Sequence, residues 1–452
     1  MRIELPDKVS YLISELNKAG FDAYAVGGCV RDAILGRTPE DWDVTTPATP
    51  KQVKNVFRGP GIFTVDTGIE HGTVTVMMDG EGFEVTTYRL DGHYDDARHP
   101  SEVTYTDVLT EDLKRRDFTI NAMAYNEDAG LVDAFDGLDD LNRGVIRCVG
   151  NPEERFGEDA LRMMRAVRFA AQLGFAIDAD TRAAIPKLAD NLSLISAERI
   201  RTELVKLLIS PHPDAMREVW ETGMADVFLP EFSRLMETEQ NNPHHCGTVG
   251  EHTIRSLMEV DPDPVLRLTM LFHDIAKPYC VKKGEDGFDH FHGHPRLGAE
   301  MTREIMRRLK FDNDTIARVC ALVAAHDDRP YPPTKQAVRR SIYRNGVEQY
   351  PALFAVKRAD ILAQSDYLQK EKLEYMDEYE AVYDQIMEAH DCLSRKDLAV
   401  TGSDLIEAGI KPGKEMGQIL SRMLEDVIDE PSLNEKQILL ARLADGKYAD
   451  PD

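Results

Sequence analysis

At 452 residues, with 42% hydrophobic and 30% charged residues, the chain has the profile of a soluble globular protein of roughly two to four domains. No apolar run is long enough to span a bilayer, and the opening MRIELPDKVSYL lacks the continuous apolar core of a secretory signal. The six cysteines are scattered without a CxxC pair, so a cytoplasmic location is expected and a thiolate zinc site or disulfide framework is not. The net charge of −26 opposes indiscriminate binding to phosphate backbones, yet basic residues gather at Lys114–Arg116, at Arg162, Arg165 and Arg168, at Arg307, Arg308 and Lys310, and at Arg339, Arg340 and Arg344, so a selective, salt-sensitive positive strip is expected.

Residues 1–149 mix strand and helix signals. GTVTVMMD (72–79) and GFEVTTYRL (82–90) are β-rich and separated by Asp-Gly turn chemistry. The segment AYAVGGCVRDAILGRTPEDWDV (23–44) runs from an apolar strand at Tyr24–Val26 into Gly27-Gly28, a turn of amphipathic helix, and Asp41-Trp42-Asp43. Paired glycines after a strand let the backbone approach a ligand, a helix start offers N–H groups to a phosphate, and Arg31 adds a charged donor. Asp41 and Asp43 stand two apart, so on a strand both point to one face, and two adjacent carboxylates call for a cation such as Mg²⁺. In Phe83-Glu84-Val85 the alternation turns Glu84 away from its apolar neighbours, as a third carboxylate. A lone GG is usually a turn and a lone DxD a solvated loop; strand, GG, Arg, DxD and a later strand carboxylate together are far rarer.

That combination resembles the signature of the DNA polymerase β-type nucleotidyltransferases and, within them, the bacterial class II CCA-adding enzymes and poly(A) polymerases, over nearly the whole chain. The resemblance implies addition of CCA to the 3′ end of tRNA from CTP and ATP, with Asp41, Asp43 and Glu84 catalytic and Mg²⁺ on the two aspartates. HYDDARHP (93–100) resembles the family's flexible loop, with His99 where a second Arg is common. DLKRRDFTINAMAY (112–125) resembles the sugar-reading motif, which implies that Arg116, Asp117 and Asn121 select a ribose through its 2′-hydroxyl. DAFDGLDDLNRGVIR (133–147) resembles the linker motif, with Asp136, Gly137 and Asp140 in bracing roles.

From Asn151 onward strand signals nearly vanish. ERFGEDALRMMRAVRFAAQLGF (154–175) reads as one helix with an apolar stripe at Leu161, Met164 and Val167, and Asp159 and Arg162 as neighbours on its surface. On the residues alone this pair is an ordinary intrahelical salt bridge. By resemblance, Glu158, Asp159 and Arg162 form the nucleotide-selecting motif, in which an Asp acceptor and an Arg fork pair with the edge of C or A. Arg165 and Arg168 are expected on the adjoining surface, holding the triphosphate. ISAERIRTELVKLL (195–208) resembles the next motif, with Glu198 and Arg201 structural.

Farther on, His252, His273-Asp274, His294, His326 and Asp360 recur on successive helical segments, a donor set suited to a divalent transition metal. Their order resembles the HD phosphohydrolase superfamily and its two-metal variants; His244-His245 and His290/His292 would stand at the entrance. DLAVTGSDLIEAGIKPGKEMGQIL (397–420), broken by Gly402, Gly409 and Gly413, resembles the tail that supports the tRNA elbow in the longer bacterial CCA enzymes. The expected fold is α+β: a polymerase β-like nucleotidyltransferase head (1–149), a helical neck (150–240), an HD body (241–370) and a helical tRNA-binding tail (371–452). Alternatives on the same scaffold are a poly(A) polymerase or a partial CC- or A-adding enzyme. A rival of another class is an HD phosphohydrolase with an RNA-binding head.

Overall fold

The computed structural model describes residues 1–59, 61–91, 103–245 and 247–448, so the HYDDARHP segment and Cys246 lie outside the described residues. The chain divides into two compact units, Met1–Ser233 and Arg234–Asp452. No helix among the described residues is long and apolar enough to cross a membrane.

The first unit opens with α1 (Asp7–Lys18), β1 (Tyr24–Val26), α2 (Gly28–Ile34), β2 (Val44–Thr46), α3 (Pro50–Val56), β3 (Ile62–Gly68), β4 (Thr73–Met78) and β5 (Glu81–Thr87). The short pair β6 (Arg89–Asp91) and β7 (Val103–Tyr105), α4 (Leu109–Lys114), β8 (Met123–Asn126) and β9 (Gly130–Asp133) follow. Seven strands form one sheet in the order β3-β4-β5-β2-β1-β8-β9, antiparallel throughout except for the parallel pair β2–β5. The expected β-rich runs are β4 and β5. Val74, Val76 and Met78 are buried at every second position, and the hairpin closes on Asp79 and Gly80, both at positive φ (50° and 83°), as a tight turn between twisted strands requires. Val26, Leu113, Ala122, Ala124 and Val149 form an apolar cluster in this unit.

The unit continues through α5 (Gly137–Arg143), β10 (Val145–Ile146), α6 (Pro152–Glu158), α7 (Leu161–Leu173), β11 (Ala176–Ile177), α8 (Ala179–Leu188), α9 (Ala197–Leu208), α10 (Met216–Glu221) and α11 (Met224–Phe228), with α12 (Pro230–Met236) next in the chain. One expectation fails here. The single helix over 154–175 is two, because Asp159 is extended (φ −141°, ψ 103°) and ends α6 before α7 begins. The apolar stripe itself holds: Leu161, Met164 and Val167 are all buried.

The second unit contains α13 (Val249–Met258), α14 (Pro264–Phe272), α15 (Lys277–Cys280), the small hairpin β12 (Lys282–Lys283) and β13 (Asp289–His290), α16 (His294–Arg308), α17 (Asn313–Ala325), α18 (Lys335–Asn345), α19 (Tyr350–Leu362), α20 (Gln369–Glu388), α21 (Gly402–Glu407), α22 (Lys414–Asp429) and α23 (Lys436–Ala444). Its last helices have their own apolar cluster, including Leu405, Ile419, Met423, Val427 and Leu439. The expected glycine breaks delimit them: Gly402 begins α21, Gly409 follows its end, and Gly413 precedes α22.

Candidate functional site

The head site begins at the β1–α2 turn. Gly27 has φ +87°, a backbone conformation that favours glycine, and a Cβ there would lie 2.9 Å from Nη1 of Arg116. Asp41 and Asp43 are not on a strand as expected; they lie in the segment leading into β2. Asp43 is nevertheless tied to the sheet, since its carbonyl accepts from Val26 N at 3.0 Å. The parallel register Val44↔Val85 sets Asp43 abreast of Glu84, one step upstream. Phe83 and Val85 are buried and Glu84 exposed, the alternation expected of β5. Burial, then the charges of Asp41 and Glu84, push the Asp43 carboxyl up to about 6 against the opposing pull of Arg116. Three carboxylates therefore converge with one arginine, a set that a divalent cation would neutralise.

The expected sugar readers meet in a buried chain of hydrogen bonds. Asn121 Nδ2 donates to Asp117 Oδ1 (3.1 Å), and Asn121 Oδ1 accepts from Arg31 Nη1 (2.7 Å). Asp117 Oδ2 accepts from Arg165 Nε and Nη2 at 2.8 and 2.6 Å. Burial would raise Asp117, but the Arg165 fork and the Asn121 amide overcome it and hold the carboxyl well below the usual range. Arg31, expected to await a phosphate, is instead bound to Asn121 and, through Nε and Nη2, to Asp32.

Arg165 and Arg168 do not lie together on an open surface. Arg168 is buried, with Nε 2.7 Å from Glu203 Oε2 and its guanidinium 3.7 Å from the Phe169 ring centre. Asp159 and Arg162 each meet other partners. Because α6 ends at Asp159, this carboxylate accepts from Arg199 Nη2 (2.7 Å), while Arg162 Nη1 donates to Glu158 Oε2 (2.6 Å) and Nη2 to the Arg115 carbonyl (3.0 Å). Sequence reasoning passed over Arg199 and Glu203. They stand one helical turn apart on α9, a spacing that marks one face but does not reveal the partner. It also missed Asp112, a fully buried carboxylate accepting from Thr45 Oγ1 (3.2 Å) and Arg115 Nε (2.9 Å). The bracing motif is close-packed: a Cβ on Gly137 would fall 2.2 Å from the Thr119 carbonyl oxygen, and buried Asp140 accepts from Thr119 Oγ1 (2.7 Å) and Arg147 Nε (3.0 Å).

The second unit brings all six expected residues together. His252 Nδ1 faces the Ala363 carbonyl (3.3 Å), His273 Nδ1 that of Met270 (2.8 Å), His294 Nδ1 that of Phe291 (2.7 Å) and His326 Nδ1 that of Val323 (2.7 Å). A carbonyl can only accept, so each Nδ1 carries a proton and Nε2 is the ring atom left to face the centre of the cluster. Those Nε2 atoms converge: His252 and His273 are 3.2 Å apart, as are His294 and His326. Burial, then the neighbouring rings of His273 and His294, push His326 down to about 3, so its ring is neutral near pH 7. Asp274 joins the two pairs, Oδ2 lying 3.2 Å from His273 Nε2 and Oδ1 3.3 Å from His294 Nε2. Asp360 Oδ1 adds to the first pair, 3.0 Å from His252 Nε2. Ring nitrogens and carboxylate oxygens this close need a proton or a cation between them, and a divalent ion fits because imidazoles anchored through their other nitrogen are typical metal ligands. The residues form two overlapping ligand sets that share Asp274: His252 with His273, and His294 with His326. A cavity of about 250 Å³ opens onto them, edged by His245, Lys277, His290, His292 and Arg329.

Residues 23–147 match the family model described as poly A polymerase head domain, 174–236 that of the RNA and SrmB-binding site of polymerase A, and 294–443 that of tRNA nucleotidyltransferase domain 2. The CCA-adding enzyme of Ligilactobacillus salivarius is 35% identical over 457 aligned residues, 96% of each chain, and that of Pediococcus pentosaceus is 37% identical over 95% of each. The crystal structure of the Bacillus stearothermophilus CCA-adding enzyme in complex with CTP superposes with a TM-score of 0.71 at 30% identity, covering 98% of both chains. With a polymerase-type head and relatives alike along nearly their whole length, this chain belongs to the CCA-adding enzyme family of nucleotidyltransferases.

Proposed function

We propose that the protein adds CCA to the 3′ end of tRNA without a nucleic-acid template, joining the α-phosphates of CTP and ATP to the terminal hydroxyl and releasing pyrophosphate. The observation that carries this reading is the convergence of Asp41, Glu84 and Arg116 on Asp43 beside the Gly27 turn. Asp41 and Asp43 would hold Mg²⁺, which supplies charge neutralisation at the phosphates and a more acidic hydroxyl. Arg31 and Arg116 then balance phosphate charge. Asp117 and Asn121, fixed by Arg165 and Arg31, offer an acceptor and an amide to the ribose. Glu158, Asp159 and Arg162 read the base, whose edge competes for their present partners, with Arg165 and Arg168 anchoring that surface. Incubation with tRNA lacking CCA, followed by sequencing of the new 3′ ends, tests this. The expected product is CCA; long A tracts would instead mark a poly(A) polymerase, and CC or A alone a partial enzyme.

A second activity is favoured by the four inward Nε2 atoms around Asp274: hydrolysis of phosphate esters on a pair of divalent ions. The imidazole-rich set suits a transition metal, and Lys277 and Arg329 at the cavity edge suit an anionic ester. In this reading the head (1–149) polymerises, the neck (150–240) selects the base, the body (241–370) hydrolyses and the tail (371–452) supports tRNA. A cytosolic location goes with it.

A further inference from the structure

Lys357 is a buried ammonium that neither reading above uses. It sits on α19 one turn before Asp360, and only 4% of it is exposed. Its Nζ donates to three main-chain carbonyls, those of Ala325 (3.2 Å), His326 (2.8 Å) and Asp328 (2.5 Å). The first two are the carbonyls of the last residue and the cap of α17, the helix that delivers His326, and the third lies two residues past that cap. The last carbonyls of a helix lack intrahelical partners and carry partial negative charge, so a cation there is stabilising and fixes the chain's exit. The consequence for His326 is specific. Its ring is oriented through Nδ1 by the Val323 carbonyl, and its main chain is gripped by Lys357. One helix thereby serves both halves of the cluster, since Asp360 faces His252 and Lys357 secures His326.

We propose that Lys357 is a positioning residue that sets His326, and with it the Asp274–His294–His326 half, for a second divalent ion. The proposal rests on the two-ion reading of this unit. It is tested by loading the full chain with Mn²⁺ in an Asp41→Asn, Asp43→Asn background, so that the head carboxylates contribute no ions. Bound manganese is then counted, and the electron paramagnetic resonance spectrum is recorded. The parent chain should hold two ions with the spectrum of an exchange-coupled pair. Lys357→Met should keep one ion, bind the second about 10–100-fold more weakly, and lose the coupled signal, as His326→Ala does. Lys357→Gln retains an uncharged NH₂ donor group, so it should fall between the two and serves where the Met variant folds poorly. A folded Lys357→Met chain with an intact coupled pair would overturn the proposal, as would equal loss of both ions or failure of both variants to fold. A parent chain without a manganese pair would instead overturn the two-ion reading itself.

Discussion

Asp43 is held where burial, Asp41 and Glu84 all disfavour another negative charge, with Arg116 opposing them. Its folded value of about 6 lies above the ordinary carboxylate value of about 3.9. Its contribution to stability is therefore complete below pH ~4 and is lost as pH rises through about 6. With metal removed by chelation, the thermal midpoint should fall across this window. Apparent Mg²⁺ affinity should rise across the same window, because the ion needs the carboxylate. Unfolding scans at pH 4–7, with and without Mg²⁺, measure both, and pH-independent midpoints and affinities would refute the assignment. Asp41→Ala or Asp43→Ala should abolish nucleotide addition while tRNA binding persists in a filter-binding assay; near-normal turnover would remove both from the chemistry. These residues were legible in the sequence because their signals are local: a GG turn, a two-residue spacing and period-two alternation in β5. Asp112 and Glu203 were not, because nothing in their neighbourhoods distinguishes a buried acid from a solvated one.

The break between α6 and α7 shows what periodicity cannot report. The apolar stripe at Leu161, Met164 and Val167 carries the helical reading back through 154–160, although Gly157 stands two residues before the junction. At the junction the Asp159 carboxylate meets Arg199, a partner 40 residues away that no local pattern announces. Past the break Arg162 donates to Glu158 and to two main-chain carbonyls, of Arg115 and Arg155. Arg162→Ala should remove one base-pairing fork, about 1–3 kcal/mol of discrimination, and erode the choice of C and A over U and G. Incorporation of each nucleotide offered singly measures this, and unchanged misincorporation would end the base-selecting role. The linker motif was expected to brace the head, and its tightest point is Gly137 against Thr119. Gly137→Ala must push α5 away from the Thr119 carbonyl, with a cost of about 3 kcal/mol in urea unfolding. A loss below about 1 kcal/mol would show that the contact yields easily.

Across the whole molecule, the basic clusters that suggested a positive strip are largely spent on carboxylates. Arg168 faces Glu203, Arg339 faces Asp391 and Arg340 faces Asp429. Linear charge counting could not separate an arginine that meets RNA from one that braces a helix, because that depends on which side chain lies opposite. His252, His273, Asp274, His294, His326 and Asp360, expected on successive helical segments, do lie on or at the ends of α13, α14, α16, α17 and α19. These six residues lie in the second compact unit, and the carboxylates Asp41, Asp43 and Glu84 lie in the first. Each site takes all its assigned ligands from its own unit. The double variant His273→Ala, Asp274→Ala should therefore leave CCA addition within about twofold of the parent, while hydrolysis of a phosphate ester such as a 2′,3′-cyclic phosphate disappears. Both residues are buried, so circular dichroism must first show that α13–α19 remain folded, because a bound metal can itself stabilise the helices that carry its ligands. A folded double variant that still hydrolyses esters at the parent rate would strip the cluster of its proposed chemistry. One that hydrolyses nothing and also stops adding nucleotides would show that the second unit acts on the first, and the two activities could no longer be treated as independent.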